Sequence, residues 1–208
     1  MEEIPLFPIK IIMIGALGVG KTSLIQKYSK GTIENFEEST SNPRFVSKIK
    51  TFNQIKFNIQ LWDTAGQEKY KSLTKLFIKD TQIAILVYSI DDEKSFEELD
   101  NWLKYILVAN DNEKIILGVA ANKSDLKSES AISDEKGKEY ANKIGAIWKS
   151  TSAITEDGEI ENFIDELFNN YYLNKFDLDA ASSTRSSKLN KAMIRYSTAG
   201  SHGNNCCK

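Results

Sequence analysis

The residues that most clearly indicate chemistry lie between Gly15 and Ser23. Their sequence, Gly-Ala-Leu-Gly-Val-Gly-Lys-Thr-Ser, fits the pattern G-x-x-x-x-G-K-[ST] at every required position. Glycines let such a loop turn its backbone N–H groups inward, where they can donate hydrogen bonds to phosphate oxygens. The Lys21 ammonium can reach the terminal phosphates, and the Thr22 hydroxyl can ligate Mg²⁺. The predicted contacts to a nucleotide's phosphates are Gly18, Val19, Gly20, Lys21, Thr22 and Ser23.

A second group of polar residues begins with Asp63, at the end of a predicted strand. The Asp63 carboxylate suits a role in holding Mg²⁺ through a water molecule. Gly66 has no side chain, so its N–H can approach a terminal phosphate closely. Gln67 is placed to orient an attacking water. Singly, these residues also fit an ordinary cap, turn and solvated side chain. After a phosphate-binding loop, their combination predicts phosphoryl-transfer chemistry with Gln67 as the catalytic residue.

A third group, Asn122-Lys-Ser-Asp125, follows the apolar run at residues 115–121. The Asp125 carboxylate can accept hydrogen bonds from the N1–H and the exocyclic amine of guanine, a pair of donors that adenine does not present. Asn122 and Lys123 would brace the base and the phosphate-binding loop. Alone, this short motif resembles any polar loop. At the end of a buried strand, in a chain with a phosphate-binding loop, it predicts a site for guanine.

Six strands are predicted to position these groups. The continuous apolar run at residues 83–87 is typical of a parallel strand buried on both faces. Strict alternation after Ile55 instead indicates a strand with one wet face, so the runs on either side of Asn53-Gln54 predict a hairpin near a sheet edge. The polar stretch from residue 31 to 44 predicts a loop. The predicted strands cover residues 9–14, 45–51, 55–63, 83–87, 115–121 and 146–149.

Helices are predicted between these strands. One begins at Lys21, another opens with a capping box at Ser95-Phe-Glu-Glu98, and two more cover residues 134–144 and about 160–168. Strands that alternate with helices predict an α/β fold, with a mostly parallel sheet covered on both faces. Ligands are then expected at the carboxyl ends of the strands, where all three groups of polar residues fall.

Composition excludes several classes of protein. With 208 residues and a net charge of −2, nothing suggests bulk binding of nucleic acid. No apolar stretch approaches the ~20 residues that span a bilayer, and the N-terminus does not resemble a signal peptide, so a cytoplasmic protein is predicted. The two cysteines, Cys206 and Cys207, are adjacent, which excludes a disulfide framework. A single histidine, His202, makes a zinc site there a poor interpretation.

The composition changes near residue 175. Beyond it, Ser, Thr, Asn and scattered Lys and Arg dominate, and the segment is predicted to be disordered. We therefore expect one catalytic domain over residues 1–174 and a variable tail over residues 175–208.

In their order along the chain, these motifs resemble those of the Rab small GTPases, within the Ras superfamily. The resemblance covers roughly residues 8–172 and the terminus. It is carried by G-x-x-x-x-G-K-T, a switch threonine at Thr40, W-D-T-A-G-Q-E, N-K-S-D and T-S-A. The Rab subfamily is indicated by Trp62, the stretch Leu86-Val-Tyr-Ser-Ile-Asp-Asp-Glu-Lys-Ser-Phe96, Trp102 and the final Cys-Cys-Lys.

The resemblance implies the three-layer small-GTPase fold of the P-loop NTPases, with a mostly parallel six-stranded sheet and five helices. It implies a protein that cycles between GDP and GTP with Mg²⁺ and recruits effectors in vesicle traffic, on the cytosolic face of an intracellular membrane. GTP hydrolysis would be slow until a GTPase-activating protein assists. An exchange factor and a GDP-dissociation inhibitor or escort protein would be further partners. No nucleic acid is expected.

Site residues also follow from the resemblance. Thr40 would ligate Mg²⁺ and contact the γ-phosphate, while Ser152 and Ala153 would contact the base. An aromatic triad that faces effectors matches Phe45, Trp62 and Phe77, although these rings also suit packing at a sheet edge. The terminus resembles Rab ends that take two geranylgeranyl groups, on Cys206 and Cys207. It does not fit C-a-a-X, which needs one cysteine fourth from the end.

Three residues depart from the family pattern near the nucleotide. Leu17 stands where the superfamily usually has a small residue, and its side chain is expected to crowd the terminal phosphate. Ile33 replaces an aromatic residue that usually contacts guanine, and Ile154 replaces the lysine that follows Ser-Ala. Ser41-Asn-Pro43 after Thr40 also differs from the usual Ile-Gly.

Three functions remain in competition at this point. The first is a Rab-type switch that hydrolyses GTP. The second, motivated by Leu17 and the altered switch, is a hydrolysis-poor platform that binds GTP and effectors. The third is a P-loop kinase of small metabolites, against which the predicted guanine site argues.

Overall fold

A computed structural model of the protein describes residues 6–29, 44–63, 78–110, 114–129, 131–155 and 158–177. Within these ranges, six strands form one sheet in the order β2-β3-β1-β4-β5-β6. β2 is antiparallel to β3, and all other neighbours are parallel. The strands are β1 (Leu6–Ile14), β2 (Arg44–Phe52), β3 (Ile55–Asp63), β4 (Ile83–Ser89), β5 (Ile116–Asn122) and β6 (Ile147–Ser150). The predicted α/β fold with a mostly parallel six-stranded sheet is confirmed.

Burial along the strands follows their position in the sheet. Every residue of β4 is buried, as expected for a central strand with layers on both faces. β3 alternates strictly, with Phe57, Ile59 and Leu61 in the core. β2 is one of the two edge strands of this sheet, and the Asn53-Gln54 turn joins it to β3. Both turn residues have positive φ, 48° and 64°, which is the backbone of a type I′ hairpin turn. The predicted edge hairpin is therefore confirmed.

Helices cover both faces of the sheet and complete three layers. α1 (Lys21–Ser29) and α5 (Glu159–Tyr172) pack on one face, while α3 (Leu99–Ala109) and α4 (Asp134–Ile144) pack on the other. A short helix, α2 (Glu93–Glu97), leads into α3. A 3₁₀ helix spans Ser124–Glu129, and a π-helical turn at Leu173–Asp177 follows α5. None of the helices in the described ranges is both long and apolar enough to span a bilayer.

The predicted capping box at Ser95 is wrong. Asp92 caps α2 instead, because its Oδ1 accepts hydrogen bonds from the backbone N–H groups of Lys94 at 3.1 Å and Ser95 at 3.4 Å. Ser95 lies inside the helix, where its hydroxyl donates to the Asp92 carbonyl at 2.7 Å and accepts from Ser89 N at 3.0 Å. The helix thus begins earlier than predicted, and the Glu98 N–H, which a capping box would pair with Ser95, donates to the Lys94 carbonyl at 3.1 Å.

Candidate nucleotide-binding site

The parallel register brings the carboxyl ends of the central strands to one edge of the sheet. Met13 of β1 lies beside Asp63 of β3, and Ser89 of β4 lies beside Asn122 of β5. The phosphate-binding loop leaves β1 at this edge, and the Asn122–Asp125 loop leaves β5 there. The structure thus brings together the phosphate-binding loop and the Asn122–Asp125 loop. Of the group that begins with Asp63, only Asp63 lies within the described residues, and it lies at the same edge.

Close backbone approaches explain two glycines of the phosphate-binding loop. A Cβ at Gly15 would lie 2.0 Å from the carbonyl oxygen of Val87 in β4. A Cβ at Gly20 would lie 2.3 Å from Asn122 Nδ2, and Gly20 has φ +91°, a conformation that L side chains rarely adopt. The loop can therefore fold this tightly against β4 and β5 only with glycine at both positions.

Lys21 lies in the hollow of this loop. Its side chain is only 3% exposed, and Nζ donates to the carbonyl oxygens of Gly15 at 2.8 Å and Ala16 at 2.7 Å. These bonds hold the ammonium at the first turn of α1, where the helix dipole also favours an anion. A phosphate placed over this loop would meet a fixed positive charge.

Thr22 and Asp63 offer the oxygen donors that Mg²⁺ prefers. Thr22 lies in the first turn of α1, and Asp63 ends β3 with only 8% of its surface exposed. Hydroxyl and carboxylate oxygens fit a hard cation, and Mg²⁺ typically keeps few protein ligands beside phosphate and water. Across the described ranges, no group of three or more His, Cys, Asp or Glu side chains forms a metal site.

Asn122 joins the phosphate-binding loop to the predicted base loop. It is 1% exposed, its Nδ2 donates to the Val19 carbonyl at 2.7 Å, and its Oδ1 accepts from Thr151 Oγ1 at 3.3 Å. The Ser124 N–H donates to the Thr151 carbonyl at 3.0 Å. The buried amide thus fixes two loops that would contact opposite ends of a nucleotide.

Asp125 is exposed and held in place by Ser152. Its Oδ1 accepts a 2.5 Å hydrogen bond from Ser152 Oγ, and the same hydroxyl accepts from Ile154 N at 3.1 Å. Ser152 is buried and Ala153 half-buried beside it. A carboxylate has about four acceptor sites, so one hydrogen bond from Ser152 leaves acceptor capacity for the two donors that guanine presents.

Lys123 pairs with a residue that the sequence analysis did not identify. Its Nζ lies 3.4 Å from both carboxylate oxygens of Asp91, which also accepts a hydrogen bond from Ser89 Oγ. The Ser89 hydrogen bond, more than the Lys123 charge, holds the pKa of Asp91 below its usual range. Asp91 follows the carboxyl end of β4, so the strand-end argument applied to Asp63 and Asn122 would also have found it.

Phe45 and Trp62 meet across the β2–β3 hairpin. They occupy opposite positions in the register, and their rings stack with centroids 4.7 Å apart and planes at 21°. Phe45 is 36% exposed. Two members of the predicted triad therefore stack on each other, with Phe45 exposed and Trp62 half-buried.

Several predicted site residues lie outside the described residues. They are Ile33, Thr40, Gly66, Gln67, Phe77, Cys206 and Cys207.

Two of the departures from the family pattern are strongly exposed. Leu17 is 74% exposed and Ile154 is 78% exposed. Leu17 lines a cavity of about 930 Å³ together with Trp102, Tyr105 and Val108 of α3.

The family model of the Ras family matches residues 10–173 of the chain. The chain belongs to the Ras family of small GTPases. Its relatives include the Ras-related protein Rab-21 of Geodia cydonium, 37% identical over 156 residues, which cover 75% of this chain and 68% of that protein. Rab-11B of Dictyostelium discoideum is 36% identical over 167 residues, 80% of this chain and 75% of that protein.

A third relative extends the same comparison. Rab-5A of Dictyostelium discoideum is 32% identical over 160 residues, 77% of this chain and 79% of that protein. The chain is thus a Rab-type small GTPase of vesicle traffic, as its motifs predicted. The family generally binds guanine nucleotide with Mg²⁺ and hydrolyses GTP, and its Rab members work with regulators and effectors at membranes. The metabolite-kinase interpretation is not supported.

Proposed function

We propose that this Rab protein is a regulated switch, charged by an exchange factor and discharged by a GTPase-activating protein. The observation that carries the proposal is the single hydrogen-bonded unit formed by the phosphate-binding loop, Asn122 and the Ser152–Asp125 pair. This unit can hold both ends of a guanine nucleotide at a fixed separation. The proposed nucleotide contacts are Gly18, Val19, Gly20, Lys21, Thr22, Ser23, Thr40, Gly66, Asn122, Lys123, Asp125, Ser152 and Ala153.

GTP hydrolysis would depend on a small set of side chains around the terminal phosphate. Lys21 would hold the β- and γ-phosphates, and Gln67 would orient the attacking water. Thr22, Thr40 and Asp63 (the last through water) would hold Mg²⁺, which neutralises charge that develops on the phosphate oxygens. Intrinsic turnover would be slow. A side chain supplied by an activating protein would accelerate it.

The GTP state would be recognised at switch surfaces. Thr40 would contact the γ-phosphate only when GTP is bound and so order its loop. Effectors would then dock beside the Phe45–Trp62 stack, with Phe77 as the third ring. Aromatic residues suit this role because they bury a large apolar area.

Membrane attachment would reside in the tail. In this proposal residues 1–174 form the catalytic domain, and residues 175–208 connect it to geranylgeranyl groups on Cys206 and Cys207. Two lipid chains anchor stably where one anchors weakly. A GDP-dissociation inhibitor or escort protein would cover both chains and carry the protein to the cytosolic face of its target membrane.

Single-turnover hydrolysis of GTP tests this function against the hydrolysis-poor platform. The switch predicts slow release of phosphate that a Rab-directed activating protein accelerates at least 10²-fold, and Gln67→Leu should abolish that acceleration. Leu17→Gly should raise intrinsic turnover, because the leucine competes for space beside the terminal phosphate. Val108→Ala, which lines the same cavity, is the matched control. No acceleration for the wild type, together with tight GTP binding, would favour the platform.

A further inference from the structure

Lys27 connects the helix that follows the phosphate-binding loop to the predicted base loop. It lies in α1, and its Nζ donates to the Ser152 carbonyl at 2.7 Å and to the Thr155 carbonyl. These partners are 125 and 128 residues away in sequence. The lysine is half-buried and Ser152 is buried, so the bonds are shielded from water. Charge-assisted hydrogen bonds of this kind are stronger than neutral ones.

The loop that Lys27 holds is the one that orients Asp125. β6 ends at Ser150, so the carbonyl groups of residues 152 and 155 lie beyond the sheet ladder. Ser152 accepts Lys27 on its carbonyl and donates from its hydroxyl to the Asp125 carboxylate. The Thr155 N–H also donates to Ser152 Oγ, at 3.4 Å. Ser152 therefore binds Lys27 through its carbonyl oxygen and orients the Asp125 carboxylate through its hydroxyl.

We propose that Lys27 is a positioning residue for guanine recognition. It contacts no nucleotide itself and acts through Ser152 on Asp125. Because Lys21 and Thr22 belong to the same helix, this link also fixes the distance between the phosphate contacts and the base contacts. The inference rests on the proposed nucleotide site. The inference predicts that replacing Lys27 weakens recognition of the guanine base more than it weakens binding of the phosphates.

Three variants of the full chain test the proposal. Lys27→Met keeps the length of the side chain and removes its donors, whereas Lys27→Arg restores donors. Lys143→Met, at an exposed position in the last turn of α4, is the matched control. For each, release of fluorescent GDP is measured, together with the preference for GDP over inosine diphosphate, which lacks the exocyclic amine.

We expect Lys27→Met to release GDP about tenfold faster, the loss that one charge-assisted hydrogen bond produces. Its preference for GDP over inosine diphosphate should narrow severalfold. Lys27→Arg should recover both properties, and Lys143→Met should match the wild type. The double variant Lys27→Met/Ser152→Ala should lose less GDP affinity than the sum of the losses of the two single variants, because both changes act on Asp125.

Two outcomes would overturn the inference. Release of GDP within twofold of the wild-type rate in Lys27→Met would show that the link is dispensable. If Lys27→Met lost affinity for GDP and for inosine diphosphate equally, the lysine would stabilise the fold in general and would have no specific role in recognition of the guanine base. Failure of the wild type to prefer GDP over inosine diphosphate would instead contradict the proposed guanine site, so the two failures are distinguishable.

Discussion

Gly20 and Asn122 meet more closely than any side chain at position 20 would allow. The Asn122 amide occupies the space that a Cβ would need and uses the same nitrogen to hold Val19. A methyl group there would displace a buried amide that has 1% of its surface exposed. The hydrogen bond between Asn122 and Val19 therefore requires that residue 20 has no side chain.

Gly20→Ala is therefore expected to weaken GDP binding by about 2–4 kcal/mol, the sum of left-handed backbone strain and a lost buried hydrogen bond. Isothermal titration with GDP and Mg²⁺ measures this loss. Gly145→Ala is the control, since Gly145 also has positive φ, +68°, but nothing lies within 4 Å of its Cβ position. It should cost only about 1 kcal/mol of stability and leave GDP affinity unchanged.

Asp125 should decide which base is bound. Asp125→Asn is expected to shift preference from guanine toward xanthine nucleotides, because the new amide can donate to the xanthine oxygen that replaces the guanine amine. The loss of one charged hydrogen bond to guanine should cost about 1.5–3 kcal/mol. Competition between GDP and xanthosine diphosphate measures the shift. A variant that still strongly prefers GDP would refute the assignment of this loop.

At the scale of elements, the start of α2 shows how one carboxylate organises a turn. Asp92 caps the helix, and Ser95 ties the same turn to the end of β4 through Ser89. The position of Asp91 beside Lys123 depends on this turn, since Asp91 lies between the strand and the cap. The cap therefore supports the base loop from a distance.

Asp92→Ala should lower the free energy of unfolding by about 1 kcal/mol, the usual cost of a lost N-cap. Urea denaturation of the GDP-bound protein measures the change. Glu97→Ala, an exposed change in the same helix, serves as the control and should stay within about 0.5 kcal/mol of wild type. Equal stability of both variants would mean that the tertiary contacts of Ser95 fix the helix without the cap.

The same elements show which features could be predicted from sequence. Local periodicity predicted the interiors of the strands and the bounds of β3 and α4. In each of these elements the apolar residues recur at the spacing of the face that is buried. The first residues of β1 were missed, since Leu6–Pro8 gain their structure from pairing with β3, which no local pattern reveals. Lys27 was missed for a similar reason, because its partners are fixed by tertiary structure and a lone lysine carries no motif.

At the scale of the whole molecule, the catalytic domain and the membrane are expected to communicate through the tail. The Cys206→Ser/Cys207→Ser variant should be wholly soluble, and each single variant weakly bound, because a single lipid chain gives only marginal, reversible binding. Fractionation of cells that express tagged full-length chains measures this. GDP binding by the double variant is the control and should equal that of wild type. Persistent membrane association of the double variant would exclude lipid as the main anchor.

The position of β1 at the centre of the sheet has a consequence during synthesis. β1 precedes every other described strand in the chain, yet it pairs with β3 on one side and β4 on the other. The β2–β3 hairpin is local and closes within microseconds, whereas the parallel pairs of β1 require distant segments. At about 5–20 residues per second, a ribosome needs several seconds to deliver β4 after β1 has emerged. Throughout that interval the apolar strand Leu6–Ile14 lacks at least one neighbour, so an unpaired and aggregation-prone strand edge is expected to persist until Ser89 has left the exit tunnel.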